Sequence, residues 1–131
     1  MSLLEDIKFE EGFKGEPYTC SEGFLTVGYG TKFPLDKKEA EMLLEYRLNK
    51  MKQELNSSLY YLNIDKDAWD ILYNMAYQMG VSGVLKFKNM IKALEEQDYL
   101  QASAEMMESR WFIQTPHRAK RLADRMKGLA E

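Results

Sequence analysis

Four side chains near the N-terminus have the types and spacing to act on a polar covalent bond. Eight residues separate Glu11 from Cys20, five separate Cys20 from Thr26, and Tyr18 lies two before the cysteine. A carboxylic acid can donate a proton to a leaving group, and a thiol and a hydroxyl can hold or deprotonate a water. On an ideal helix, Leu3, Leu4 and Ile7 centre on one direction, and Glu11 points about 30° from it against about 65° for Glu10. Glu11 is thus expected on the apolar side at a helix C-terminus, where burial and the negative helix end disfavour the carboxylate. A plain ion pair with an arginine would use the same position structurally. If residues 20 and 24 pair around Ser21-Glu22-Gly23, then Tyr18, Cys20, Phe24 and Thr26 share one face of a hairpin. Ordinary packing would also suit them, since a free cysteine is a small hydrophobe and threonine is at home in strands.

The elements that must position these groups are legible from local signals. Ser2-Leu3-Leu4-Glu5 is a capping box, and the helix it starts is expected to run to Glu11 and stop at Gly12. Pro17 to Gly30 reads as a hairpin. Asp36 with Glu39 opens a long helix over about 37–56, with Leu44, Leu48, Met51 and Leu55 at helical spacing. Further helices are expected over about 66–79, capped by Asp65 and ended by Gly80, over about 84–96 and over about 99–113. Thr115-Pro116 opens a last one that ends at Gly128. The fold class is α+β and mostly helical. One domain is expected over 1–131, with an N-terminal helix (1–12) packing on a C-terminal lobe, a small β lobe (13–36), a connecting helix (37–56) and a helical lobe (57–131).

Composition excludes several classes. The 131 residues are 45% hydrophobic and 30% charged, a globular balance. One cysteine forbids an intrachain disulfide and a multi-cysteine zinc site, and one histidine forbids a multi-histidine metal site. No cofactor or metal is expected. No apolar run approaches the length of a membrane span, and the first residues lack a signal peptide's apolar stretch. The net charge of -3 is uneven. Residues 1–65 carry 8 basic against 12 acidic side chains, whereas 109–128 hold Arg110, Arg118, Lys120, Arg121, Arg125 and Lys127 against Asp124 alone. That basic stretch suits a polyanionic partner or a solvated helix face, and no nucleic-acid motif accompanies it.

Three stretches together carry a family resemblance. The first is Glu11, Cys20 and Thr26 with Glu22-Gly23-Phe24-Leu25-Thr26-Val27-Gly28-Tyr29-Gly30. The second is Asn74-Met75-Ala76-Tyr77-Gln78-Met79-Gly80 followed by Gly83-Val84. The third is Ser109-Arg110-Trp111-Phe112-Ile113-Gln114-Thr115-Pro116-His117-Arg118-Ala119-Lys120-Arg121. The chain resembles the phage-type lysozymes, glycoside hydrolase family 24, over most of its length. The resemblance implies a lysozyme-like fold with a cleft between the lobes, and hydrolysis of the β-1,4 bond between N-acetylmuramic acid and N-acetylglucosamine. It implies Glu11 as general acid and Thr26 as a residue placing the attacking water. Arg118 matches an arginine that contacts the catalytic glutamate, Arg110 and Glu22 a pair that can bridge the cleft mouth, and Gln78 and Trp111 residues on the glycan and peptide side. An arginine beside Glu11 would oppose the effect of burial, so the two leave its net proton affinity unsigned.

The departures are equally specific. The best-known members have aspartate where this chain has Cys20, which leaves three roles for the thiol: water orienter, thiolate base or nucleophile. An inverting water attack is the expectation, with Glu22 aimed off the Cys20 face. The stretch from Gly30 to Asp36 is short for the family, and Thr31 replaces a histidine. As an endolysin the chain would be a monomer, act on peptidoglycan glycan strands, bind no nucleic acid, insert in no membrane, and wait in the host cytoplasm for a holin to release it. A virion-borne or secretion-associated lytic domain, a lytic transglycosylase and an inactive wall-binding remnant are the alternatives.

Overall fold

The computed structural model describes residues 2–130. Eight helices and one small antiparallel sheet give a mostly helical, lysozyme-like α+β fold. The chain divides into two compact units, one up to Leu44 and one from Glu45.

In the first unit, α1 (Leu3–Glu11) starts where the Ser2 hydroxyl accepts from Glu5 N at 3.1 Å. It stops at Gly12, whose φ of 69° and ψ of 157° form a backbone conformation that glycine alone adopts readily. The sheet follows as β1 (Lys14–Thr19), β2 (Leu25–Gly28) and β3 (Thr31–Lys32), in the order β1-β2-β3. Pro17 sits in β1, an edge strand, where a missing N–H is tolerated. The expected register holds: Tyr18 pairs with Thr26, and Cys20 N donates to Phe24 O at 2.8 Å. The third strand was not anticipated. The turn at Gly28-Tyr29-Gly30 folds Lys32 back opposite Thr26. Among the described residues of this unit, Thr26 alone is fully buried, at 1% exposure.

Helix α2 (Lys37–Ser58) carries the boundary between the units. Its start is a reciprocal cap, with Glu39 N donating to Asp36 Oδ1 at 2.8 Å and Asp36 N to Glu39 Oε1 at 3.0 Å. Of its expected apolar stripe only Leu55 is fully buried.

The apolar core lies in the second unit. Helix α3 (Lys66–Met79), capped by Asp65, buries Ala68, Ile71, Leu72 and Met75 at helical spacing. Two expected helices are each broken in two. The 84–96 helix is α4 (Val81–Leu85) and α5 (Lys88–Glu95), separated by a tight turn in which Phe87 N bonds Val84 O at 2.9 Å. Phe87 there meets the edge of Trp111, with ring centroids 6.1 Å apart. The 99–113 helix is α6 (Tyr99–Met107) and α7 (Arg110–Gln114). Ser109 makes that break by donating to Met106 O at 2.7 Å and accepting from Phe112 N at 3.2 Å. Helix α8 (Pro116–Gly128) has the expected proline start, but Thr115 makes no side-chain cap. Its hydroxyl is directed instead to Trp111 O at 3.2 Å. The buried Ser103 donates to Ala123 O at 2.7 Å and ties α6 to α8.

Candidate active site

The first unit gathers Glu11, Tyr18, Cys20, Glu22 and Thr26 around one pocket of about 240 Å³, together with Ser21, Gly30 and Lys32. The last residue of α1 supplies the carboxyl, and the hairpin and its turn supply the rest. All the candidates placed in this part of the chain therefore meet.

Glu11 is not buried as expected. It is exposed, as are Leu3, Leu4 and Ile7 of the same helix face. Its carboxyl lies in the space that the missing side chain of Gly30 leaves open. A Cβ on that glycine would stand 2.5 Å from Glu11 Oε2 and 2.7 Å from its Cδ, and φ there is +75°. A side chain at residue 30 is disfavoured by the positive φ and would push the Glu11 carboxyl, the far end of an exposed side chain, aside. Gly30→Ala is expected to stay folded, at a cost of about 1 kcal/mol for the left-handed backbone, yet to lose most activity because the carboxyl must move. Wild-type activity in that variant would show that the carboxyl is not held here for catalysis.

The backbone N–H groups of Glu22 and Phe24 hold the Cys20 thiol below its ordinary value; partial desolvation works against them, and the Lys32 ammonium adds to the lowering. The turn therefore offers an anion two main-chain donors at residue 20. Thr26 Oγ1 donates to Phe24 O at 2.9 Å. That hydroxyl has one proton, for which Phe24 O and Sγ compete, and the 2.9 Å bond assigns it to the carbonyl. The oxygen lone pairs remain free to accept from a water.

Glu22 does not aim away from Cys20. It lines the same pocket, and its Oε2 stands 3.7 Å from Lys32 Nζ across the turn. The third strand is the reason, since it places Lys32 beside the hairpin. Lys32 has no signal of its own in the sequence, because a two-residue strand has no periodicity. The signal that could have found it is the Gly-Tyr-Gly turn, which folds the following residues back onto β2. Tyr18 is half-buried, with Lys14 Nζ 4.4 Å from its ring centroid.

The second unit holds the remaining candidates. Trp111 Nε1 donates to Gln78 Oε1 at 2.9 Å, Gln78 Nε2 to Thr115 Oγ1 at 3.4 Å, and Thr115 Oγ1 to Trp111 O at 3.2 Å. This closed ring fixes which way the Gln78 amide faces. Arg118 is clamped by Asn74, with Nε and Nη2 donating to Oδ1 at 3.0 and 2.7 Å and Nη2 also donating to the carbonyl oxygen at 3.0 Å. Arg110 and Trp111 line a separate pocket of about 290 Å³ with Phe87, Lys88 and Glu105. Asn74 and Thr115 stand in stretches singled out from sequence, but their supporting roles needed the structure.

The phage lysozyme family model matches residues 8–129. The chain belongs to the phage lysozyme family. It is 31% identical to "Probable T4-type lysozyme 1" of Dictyostelium discoideum, with 92% of this chain and 91% of that one aligned. It is 34% identical to "Probable T4-type lysozyme 2" of the same organism over the same shares. It is also 28% identical to the "Pre-baseplate central spike protein Gp5" of Enterobacteria phage T4, over 93% of this chain but 27% of that protein. As a phage lysozyme the chain is a glycoside hydrolase of a peptidoglycan-lytic class. No described helix of this lysozyme is long and apolar enough to cross a membrane.

Proposed function

We propose that this lysozyme hydrolyses the β-1,4 bond between N-acetylmuramic acid and N-acetylglucosamine by a single inverting displacement. The observation that carries the reading is the convergence of Glu11, Cys20 and Thr26 on one pocket of a phage lysozyme. Glu11, in its acid form, gives its proton to the glycosidic oxygen as the bond to the anomeric carbon breaks. A water attacks that carbon from the opposite face. Its two hydrogens point to Thr26 Oγ1, an acceptor because its own proton goes to Phe24 O, and to Cys20 Sγ, which takes one of them as a thiolate. The main-chain N–H groups of Glu22 and Phe24, which lower the thiol, support the thiolate form. Glu11 ends deprotonated and Cys20 protonated, and exchange with solvent resets both. Gln78, Arg110, Trp111 and Arg118 serve the glycan and its stem peptides from the second unit, Tyr18 and Glu22 from the first. The protein acts as a monomeric endolysin held in the host cytoplasm until a holin releases it.

The test is digestion of purified peptidoglycan with the newly formed ends read by NMR. The expected result is a reducing N-acetylmuramic acid end that first appears as the α anomer. A first-formed β anomer would replace the water attack by a covalent intermediate on Cys20. A 1,6-anhydro end would make the protein a lytic transglycosylase, and intact glycan an inactive wall-binding remnant. The similarity to a spike protein favours one second reading, a virion-borne lytic domain, which genes flanking this one would distinguish.

A further inference from the structure

We infer that Lys32 is a positioning residue of this active site, whose ammonium secures the sulfur of Cys20 as the anion of the pocket. The inference rests on the reading of Cys20 as proton acceptor. The backbone places Lys32 there. Residues directly opposite in an antiparallel pair project on the same face. Tyr18 pairs with Thr26 and Thr26 with Lys32, so the three form one row across the sheet, beside the row that holds Cys20 and Phe24. The ammonium is 5.5 Å from the Phe24 ring centroid and 3.7 Å from Glu22 Oε2.

The charge balance of the pocket gives the placement its consequence. The groups facing Cys20 are Glu11 from α1, Tyr18 from β1, Glu22 from the turn and Lys32 from β3. Two are carboxyl groups, and Lys32 is the sole cation among the lining residues. With Glu11 in its acid form, a thiolate is opposed by repulsion from the Glu22 carboxylate. One ammonium at the same rim offsets that repulsion, and the direction in which Lys32 moves the Cys20 thiol agrees. The lysine side chain is 52% exposed, so replacing it leaves the packing of the sheet intact.

Cys20 is the only thiol in the chain, so alkylation reads it directly. The experiment follows iodoacetamide modification of the full-length protein against pH, by mass spectrometry, in wild type, Lys32→Met and Lys32→Arg. At low salt and neutral pH the methionine variant is expected to react roughly two- to five-fold more slowly, because fewer molecules carry the thiolate. Its titration midpoint moves to higher pH, Lys32→Arg restores the wild-type curve, and added salt narrows the gap. Superimposable curves would overturn the inference and leave the role of Cys20 standing. So would slowing by the same factor at every pH, which reports access rather than charge. Peptidoglycan hydrolysis by the same variants completes the test. Loss of activity in step with the thiolate fraction supports the assignment. Full activity despite a shifted alkylation curve removes Lys32 from the reaction, and it locates the failure in the reading of Cys20.

Discussion

Glu11→Gln is expected to abolish lysis of outer-membrane-permeabilised cells while leaving the protein folded. The amide keeps the size and shape of the carboxyl and has no acidic proton to give. General acid catalysis is worth roughly 10²–10⁴ in rate, and without it the oxygen must leave as an alkoxide. The substitution is clean because the residue is exposed at the end of α1. Packing around it therefore changes little, and the circular dichroism and melting temperature should match wild type. The measurement is the fall in turbidity with time, set against a melting curve of the same preparation. Lysis at an undiminished rate would reject Glu11 as the proton donor.

The second large effect is expected at Cys20, where the residue that fills the position matters less than its charge. The N–H groups of Glu22 and Phe24 belong to the main chain, so they remain in place for any side chain at residue 20. A carboxylate can accept from the same two donors. Cys20→Asp should therefore keep activity, and Cys20→Ala should lose roughly 10²-fold or more, the usual share of a general base. The pH profiles give the sign. In wild type the thiolate is the working form and its proton affinity is lowered, so activity should fall as pH drops through a value below the ordinary thiol range near 8.5. The aspartate variant should extend activity to more acidic pH, since a carboxylate holds its charge there. Iodoacetamide should inactivate wild type and spare the aspartate variant. Alanine matching wild type at every pH would make the sulfur a bystander.

Much of this was legible in the sequence, because much of it is local. The caps at Ser2, Asp36 and Asp65 are side chain to backbone bonds spanning two or three residues. The hairpin register follows from a three-residue turn. What escaped depends on groups distant in the chain. The break between α4 and α5 occurs where Phe87 meets Trp111, and the break before α7 turns on both hydrogen bonds of Ser109. The site divides the same way. Glu11, Cys20 and Thr26 were recognisable by spacing, but the fit of the carboxyl against Gly30 is a three-dimensional fact. So is the presence of Glu22 and Lys32 on the pocket wall. The expected burial of Glu11 failed because an apolar stripe specifies a face and not what covers it.

Every fully buried apolar side chain among the described residues lies at or beyond Leu55, whereas the pocket is built from residues 11–32. The apolar interior and the pocket of Glu11 and Cys20 are thus encoded by different parts of the gene. A lesion in the helical interior lowers how much protein a cell accumulates, since small losses of folding free energy alter abundance several-fold. A lesion in the first quarter of the chain leaves the amount of protein nearly unchanged and alters how fast each copy works. Random variants of this enzyme should accordingly sort into two phenotypes, scarce but competent and plentiful but idle.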